Sequence, residues 1–178
     1  MLNAEQAVLI VVDVQGKLAG LMHRREELFE NLSKLIRGAA VLGLPTIVTE
    51  QNPDRLGPTI NEIAPLLPGE RIAKMAFSCR GEPAFNDALA ATGRRQVLLC
   101  GIEAHICVYQ TCRDLLAGGV DVYVVADAIG SRNPDHRDIA VAAMRDLGAR
   151  VTCVEMALFE MLRVAGTDTF RQVLKIIR

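Results

Sequence analysis

QVLLCGIEAHICVYQTCRDLLAGG, residues 96–119, reads as a strand followed by the helix that packs on it. Gln96–Cys100 is a short apolar run with the length and branching of a buried strand, and Gly101 ends it. His105–Ala117 then reads as a helix, stopped by the pair Gly118-Gly119. The same alternation extends in both directions. Upstream, Ala7–Val12 (AVLIVV) is a buried strand closing at Asp13. Glu26–Leu42 carries Leu28, Leu32, Leu35, Ile36 and Ala39 at helical spacing, with Gly43 as a C-cap signal and Pro45 blocking continuation. Thr46–Thr49 reads as the second strand and Arg71–Ala73 as a short third one. Between them, the proline-rich stretch Gln51–Pro68 reads mostly as loop, with one helical turn around Ile60–Leu66. Pro83–Ala91 is a helix with proline near its first turn. Downstream come the strand Val120–Ala126, the helix Asp135–Leu147 ended by Gly148, and the strand Arg150–Val154. Thr167–Ile177 closes the chain as a helix with Thr167 as N-cap.

Strands alternating with helices of this length imply a parallel sheet covered on both faces. Right-handed crossovers restrict the order to a few doubly wound topologies. The expected fold is therefore a three-layer α/β domain with a six-stranded parallel sheet in the order 3-2-1-4-5-6. A single domain spanning residues 1–178 accommodates it, because no linker, repeat or low-complexity segment interrupts the pattern. Composition agrees. Half of the residues are hydrophobic, yet aromatics are few and tryptophan is absent, as suits aliphatic strands buried on both sides.

The chain carries 20 Lys plus Arg against 21 Asp plus Glu, a net charge of −1. Nucleic-acid binders normally carry a basic excess or stripe, so the expected ligand is a small molecule and not a nucleic acid. No stretch approaches the roughly 18 apolar residues of a spanning helix, so no membrane partner is expected. The opening Met-Leu-Asn-Ala-Glu-Gln has no basic n-region, and Ala7–Val12 is too short for a signal core. The five cysteines form no C-x-x-C pair and no zinc-type spacing with the three histidines. These features read as a reduced, cytoplasmic protein without a metal or other cofactor.

In an open parallel sheet, ligands bind beyond the carboxyl ends of the strands, where the strand order reverses. Here that crevice lies between the first and fourth strands. It is faced by Asp13-Val14-Gln15 and by Gly101-Ile102-Glu103-Ala104-His105-Ile106-Cys107. A cysteine in a first helical turn sits among unpaired N–H groups at the positive end of the helix dipole. Both effects are expected to lower its pKa, and the N–H groups could also hold an oxyanion. Asp13 is then a candidate proton carrier, and Lys74, at the end of the third strand, a candidate cation on the same edge. Each has a bland alternative as a buried thiol, a turn-forming Asp or a solvated Lys.

Three segments resemble the isochorismatase-like cysteine hydrolases, which include nicotinamidases and N-carbamoylsarcosine amidases. They are Val12-Asp13-Val14-Gln15, Lys74-Met75-Ala76-Phe77-Ser78, and Gly101 through Cys107-Val108, with a late Asp127-Ala128 after the fifth strand. The resemblance covers almost the whole chain. It implies that Cys107 is the nucleophile, that Asp13 takes and returns its proton, and that Lys74 stabilises the thiolate. It also implies a cis Ile102–Glu103 bond, with the Glu103 and Cys107 N–H groups forming the oxyanion hole. Gln15, Glu50, Phe77 and His105 are candidates for the pocket, with ordinary loop or core roles as alternatives.

Departures narrow the reading. Nicotinamidases carry an Asp-x-His…His metal site after the second strand, and Thr49-Glu50-Gln51-Asn52-Pro53-Asp54 has no histidine. Isochorismatases proper lack the nucleophilic cysteine, which this chain has. The resemblance is thus to the metal-free branch, and it implies hydrolysis of a small amide or related carbonyl through a thioester, in a homo-oligomer of dimer size or larger. The competing reading is a catalytically silent interaction protein that keeps the fold and triad. A nucleotide-binding reading fails because Asp13-Val14-Gln15-Gly16-Lys17 lacks a glycine-rich phosphate loop.

Overall fold

A computed structural model describes residues 1–178. Six strands form one sheet: β1 (Ala7–Val12), β2 (Thr46–Gln51), β3 (Ile72–Lys74), β4 (Gln96–Ile102), β5 (Asp121–Gly130) and β6 (Arg150–Thr152). Their order is β3-β2-β1-β4-β5-β6, and every pairing is parallel, as the sequence implied. Every residue of β1 is buried. Alternate side chains feed two cores: Ala7, Leu9 and Val11 point to one face, Val8, Ile10 and Val12 to the other.

Eight α-helices accompany the sheet. Two are single turns, α1 (Gly16–Ala19) and α3 (Pro53–Leu56). The others are α2 (Arg25–Val41), α4 (Pro83–Thr92), α5 (Tyr109–Ala117), α6 (Pro134–Asp146), α7 (Val154–Leu162) and α8 (Asp168–Ile177). Helices α2, α7 and α8 pack through Leu32, Leu35, Leu158 and Val173 on the Leu9 face. Helices α4, α5 and α6 pack through Phe85, Leu115 and Met144 on the Ile10 face. No helix is long and apolar enough to cross a membrane.

Three departures from the sequence reading bear on the site. The helix expected over His105–Ala117 begins instead as a π-helical turn, Ala104–Val108, before α5 takes over at Tyr109. Strands β4 and β5 run further than expected, to Ile102 and Gly130, and their register shifts between Leu99 and Gly101. At that shift Gly101 has φ +117°, and a Cβ there would fall 2.1 Å from the Val12 carbonyl oxygen. Only glycine permits this approach of β4 to the end of β1. Finally, β6 stops at Thr152, and the following residues form α7, which had no sequence counterpart. Its N-cap is Cys153, whose Sγ accepts from the Met156 N–H at 3.5 Å. Cysteine is not among the usual capping residues, so the start signal was absent.

Candidate active site

Asp13 follows β1 directly, with a left-handed φ of +53° that Asp tolerates better than most residues. Its N–H donates to the Thr49 carbonyl at 3.1 Å, which continues the β1–β2 ladder one residue past the strand. The side chain is 2 % exposed. Oδ1 accepts a hydrogen bond from Thr49 Oγ1 at 2.8 Å, and Oδ2 lies 2.7 Å from Lys74 Nζ.

Lys74 closes β3, paired in register with Gln51 of β2, and its ammonium is fully buried. Its three N–H groups are taken up by Gln51 Oε1 at 2.7 Å, Ala76 O at 3.1 Å and Phe77 O at 3.0 Å. The contact with Asp13 is therefore a charge interaction without an aligned hydrogen bond. Asp13 Oδ2 remains a buried carboxylate oxygen with no donor.

Cys107 lies in the π-helical turn and is 7 % exposed. Its thiol is pushed up to about 12, first by burial and then by the neighbouring Asp13 carboxylate, while Lys74 pulls the other way. This is opposite to the lowering expected from a helix start. Desolvation in a sealed site outweighs the N–H groups and the single lysine, whose charge Asp13 already offsets. Cys107 thus rests as a protonated thiol beside a carboxylate.

The neighbouring residues fall into place around these three. Ile102 is fully buried in the core, and the Ile102–Glu103 peptide bond is cis. The Glu103 carboxylate, 4 % exposed, is bracketed by Arg132. Nε reaches Oε1 and Oε2 at 3.2 and 3.1 Å, and the Arg132 backbone N–H donates to Oε2 at 3.0 Å. His105 Nδ1 lies 2.9 Å from Ser131 Oγ, its ring 4.8 Å from that of His136. Burial, with the nearby His136 and Arg132, lowers the His105 pKa against the pull of Glu103.

Of the other pocket candidates, Gln15 is fully buried and ties loops together. Its Oε1 accepts from Gln51 N at 2.6 Å, and its Nε2 donates to Gly57 O at 2.7 Å. Glu50 Oε1 accepts from the N–H and hydroxyl of Thr59 at 2.7 and 2.6 Å. Gln15 thus spends its whole amide, and Glu50 one carboxylate oxygen, on neighbouring loops. Phe77 is 54 % exposed on the loop whose carbonyls hold Lys74. Asp127 caps the start of α7, accepting from Val154 N at 2.9 Å. It also lines a cavity with His23, Glu27 and Arg137, which none of Asp13, Lys74 and Cys107 lines. No group of three or more His, Cys, Asp or Glu side chains is placed to hold a metal ion.

Sequence reasoning missed Thr49 and Arg132. Thr49 was readable as the end of the second strand, but its contact with Asp13 depends on the β1–β2 register. Arg132 follows a strand end that was placed four residues too early.

An isochorismatase domain model matches residues 7–156, which holds β1 to β6 and every residue of the site just described. The chain belongs to the isochorismatase family. A secreted isochorismatase effector from Phytophthora sojae is 38 % identical over 97 % of this chain and 84 % of its own. Among solved structures, a MAR1 ribonuclease from Caenorhabditis elegans superposes with a TM-score of 0.92 at 35 % identity, covering 99 % of this chain and 91 % of that one. YcaC from Pseudomonas aeruginosa, solved with hexane-2,5-diol and covalent acrylamide, gives 0.92 at 30 % identity over 98 % and 90 %. The Escherichia coli YcaC gene product, described as an octameric hydrolase of unknown specificity, gives 0.93 at 26 % over 99 % and 88 %.

Proposed function

We propose that this isochorismatase-family protein is a cysteine-dependent hydrolase of small amides or related carbonyl compounds, with Cys107 as nucleophile, Asp13 as proton carrier and Lys74 as stabilising cation. One observation carries the reading: a sealed carboxylate oxygen, Asp13 Oδ2, has no hydrogen-bond donor of its own beside a neutral thiol. A thiol at about 12 gives almost no free thiolate at neutral pH, so attack must be coupled to proton transfer. The Cys107 S–H bond breaks, its proton passes to Asp13, and the sulfur electron pair forms the bond to the carbonyl carbon. Lys74 holds the negative charge that moves between sulfur and carboxylate. The N–H groups of Glu103 and Cys107 are assigned to the resulting oxyanion. On collapse the C–N bond breaks and Asp13 returns the proton to the leaving amine. Water, its proton taken by Asp13, then hydrolyses the thioester, releasing the acid and restoring the thiol.

The 7 % exposure of Cys107 favours small acyl groups. Covalent acrylamide in the Pseudomonas neighbour supports a reactive nucleophile on this fold. The Caenorhabditis neighbour is described as a ribonuclease, but a net charge of −1 supplies no electrostatic excess for a phosphodiester backbone, so small carbonyl compounds are preferred here. We also read the protein as a homo-oligomer, on the octameric Escherichia neighbour; sedimentation velocity showing a monomer at micromolar concentration would remove that part.

The test is a burst experiment with p-nitrophenyl acetate, an activated small acyl donor. Stoichiometric release of nitrophenolate, with an acetyl group on Cys107 by mass spectrometry and no burst in Cys107→Ala, is the expected result. Equal, burst-free rates in the two proteins would leave a catalytically silent interaction protein.

A further inference from the structure

The two oxygens of the Asp13 carboxylate are held differently, and the difference is created by Thr49. Thr49 lies at the carboxyl end of β2 in register with Val12, and it is fully buried. Its hydroxyl touches Asp13 Oδ1 at 2.8 Å and Cys79 Sγ at 3.6 Å. A hydroxyl has one proton, and a carboxylate can only accept, so the Thr49 proton goes to Oδ1. The Cys79 thiol, itself buried, then donates to the Thr49 oxygen. Cys79 is kept in place by its backbone N–H, which donates to the buried Thr111 Oγ1 at 3.0 Å. The chain of donors therefore runs from Cys79 through Thr49 to Oδ1; it is built from β2 and the turn after Lys74, and α5 anchors Cys79 by accepting its backbone N–H. Oδ2 receives no aligned hydrogen bond from any of them.

We propose that Thr49 is a positioning residue for the thiol chemistry: by occupying Oδ1 it fixes the carboxylate plane and reserves Oδ2 for the Cys107 proton. This rests on the reading of Asp13 as proton carrier. Without the hydroxyl, Oδ1 competes with Oδ2 for the thiol proton and the carboxylate can turn about its Cβ–Cγ bond. The proton transfer itself is unchanged in stoichiometry. The S–H bond breaks, the proton lodges on Oδ2, and the electron pair stays on sulfur to attack the electrophile.

Alkylation of Cys107 by iodoacetamide, followed by peptide mass across pH 6 to 10, tests this with the full chain. When the proton goes to an internal carboxylate, the rate is nearly independent of pH through neutrality. When it goes to solvent, the rate rises about tenfold per pH unit below the thiol pKa. Wild type is expected to show the flat profile and Asp13→Asn the rising one. Thr49→Val, close to isosteric, is expected to lower the flat part about tenfold, and Thr49→Ser to restore it to within about threefold of wild type. A rising profile in wild type, or a flat one in Asp13→Asn, would end the proton-carrier reading. A profile for Thr49→Val matching wild type, with Asp13→Asn behaving as expected, would overturn only the role of Thr49. Thermal melts of each variant confirm that the fold is retained. A Thr49→Ser protein that melts like wild type yet reacts like Thr49→Val would also overturn it.

Discussion

Lys74 and Asp13 form a buried pair in which each charge makes the other tolerable. Replacing Lys74 with Met keeps much of the bulk but leaves the Asp13 carboxylate uncompensated in a site 2 % exposed. Removing one partner of such a pair costs about 3–5 kcal/mol. Urea unfolding of Lys74→Met should show a loss of that size, and the double variant Lys74→Met/Asp13→Asn should recover much of it. The same substitution removes the only charge that lowers the Cys107 pKa, so acylation by p-nitrophenyl acetate should slow in Lys74→Met. A single variant as stable as wild type would mean that the Asp13 carboxylate does not depend on Lys74 for its burial. At this scale the sequence was informative because an Asp, a Lys and a Cys each stood at the end of a strand or the start of a helix. It misjudged the sign of the thiol shift, because desolvation depends on how completely β1, β3 and the π-helical turn close around Cys107, and residue order carries no measure of that.

Two close approaches between elements depend on glycine. Strand β4 passes close enough to β1 that only glycine fits at 101, where a Cβ would meet the Val12 carbonyl oxygen at 2.1 Å and the nitrogen at 2.6 Å. Both neighbours are backbone and cannot move aside without breaking the ladder. Gly101→Ala is therefore expected to cost more than about 4 kcal/mol, appearing as a large drop in unfolding midpoint or as insoluble protein. A midpoint within a few degrees of wild type would show that β4 can withdraw from β1. Helices α2 and α7 meet with similar intimacy. A Cβ on Gly38 would lie 2.5 Å from Leu158 Cδ1, and Leu158 is fully buried. Gly38→Ala should destabilise by about 1–3 kcal/mol by overpacking, even though alanine is the better helix former, and the double variant with Leu158→Ala should show a favourable coupling. The elements themselves were legible wherever periodicity ran long, as in β1, α2, β4 and α6. Helix α7 was not, because its apolar residues continue directly from β6 and its cap is a cysteine.

Across the whole molecule, burial leaves a signature in the alkaline stability. Cys107 and Cys112 are each pushed up from 9.0 to about 12 by burial first, and burial raises Cys100 and Cys79 as well. The folded protein holds these protons after the unfolded chain has released them. The stabilisation is therefore complete below about pH 9 and is lost as pH rises toward 12, at about 1.4 kcal/mol per pH unit for each thiol. Denaturant titrations between pH 8 and 10.5 should show a steep decline, and Cys112→Ala should decline less steeply, measured against its own value at pH 8. Parallel curves would mean that Cys112 is not desolvated in the folded state. The sheet order, the six strands and the candidate triad followed from the sequence alone, because alternating apolar runs and glycine stops admit few right-handed parallel topologies, and the order reversal between β1 and β4 marks where side chains converge. The tertiary structure alone decided which oxygen of Asp13 lacks a hydrogen bond, that Thr49 touches Asp13 and Arg132 touches Glu103, that Gln15 and Glu50 bond to neighbouring loops, and that burial pushes the Cys107 thiol up. Those properties depend on register, on distances of an ångström or less and on the exclusion of water, and they exist only once segments far apart in the chain have closed on one another.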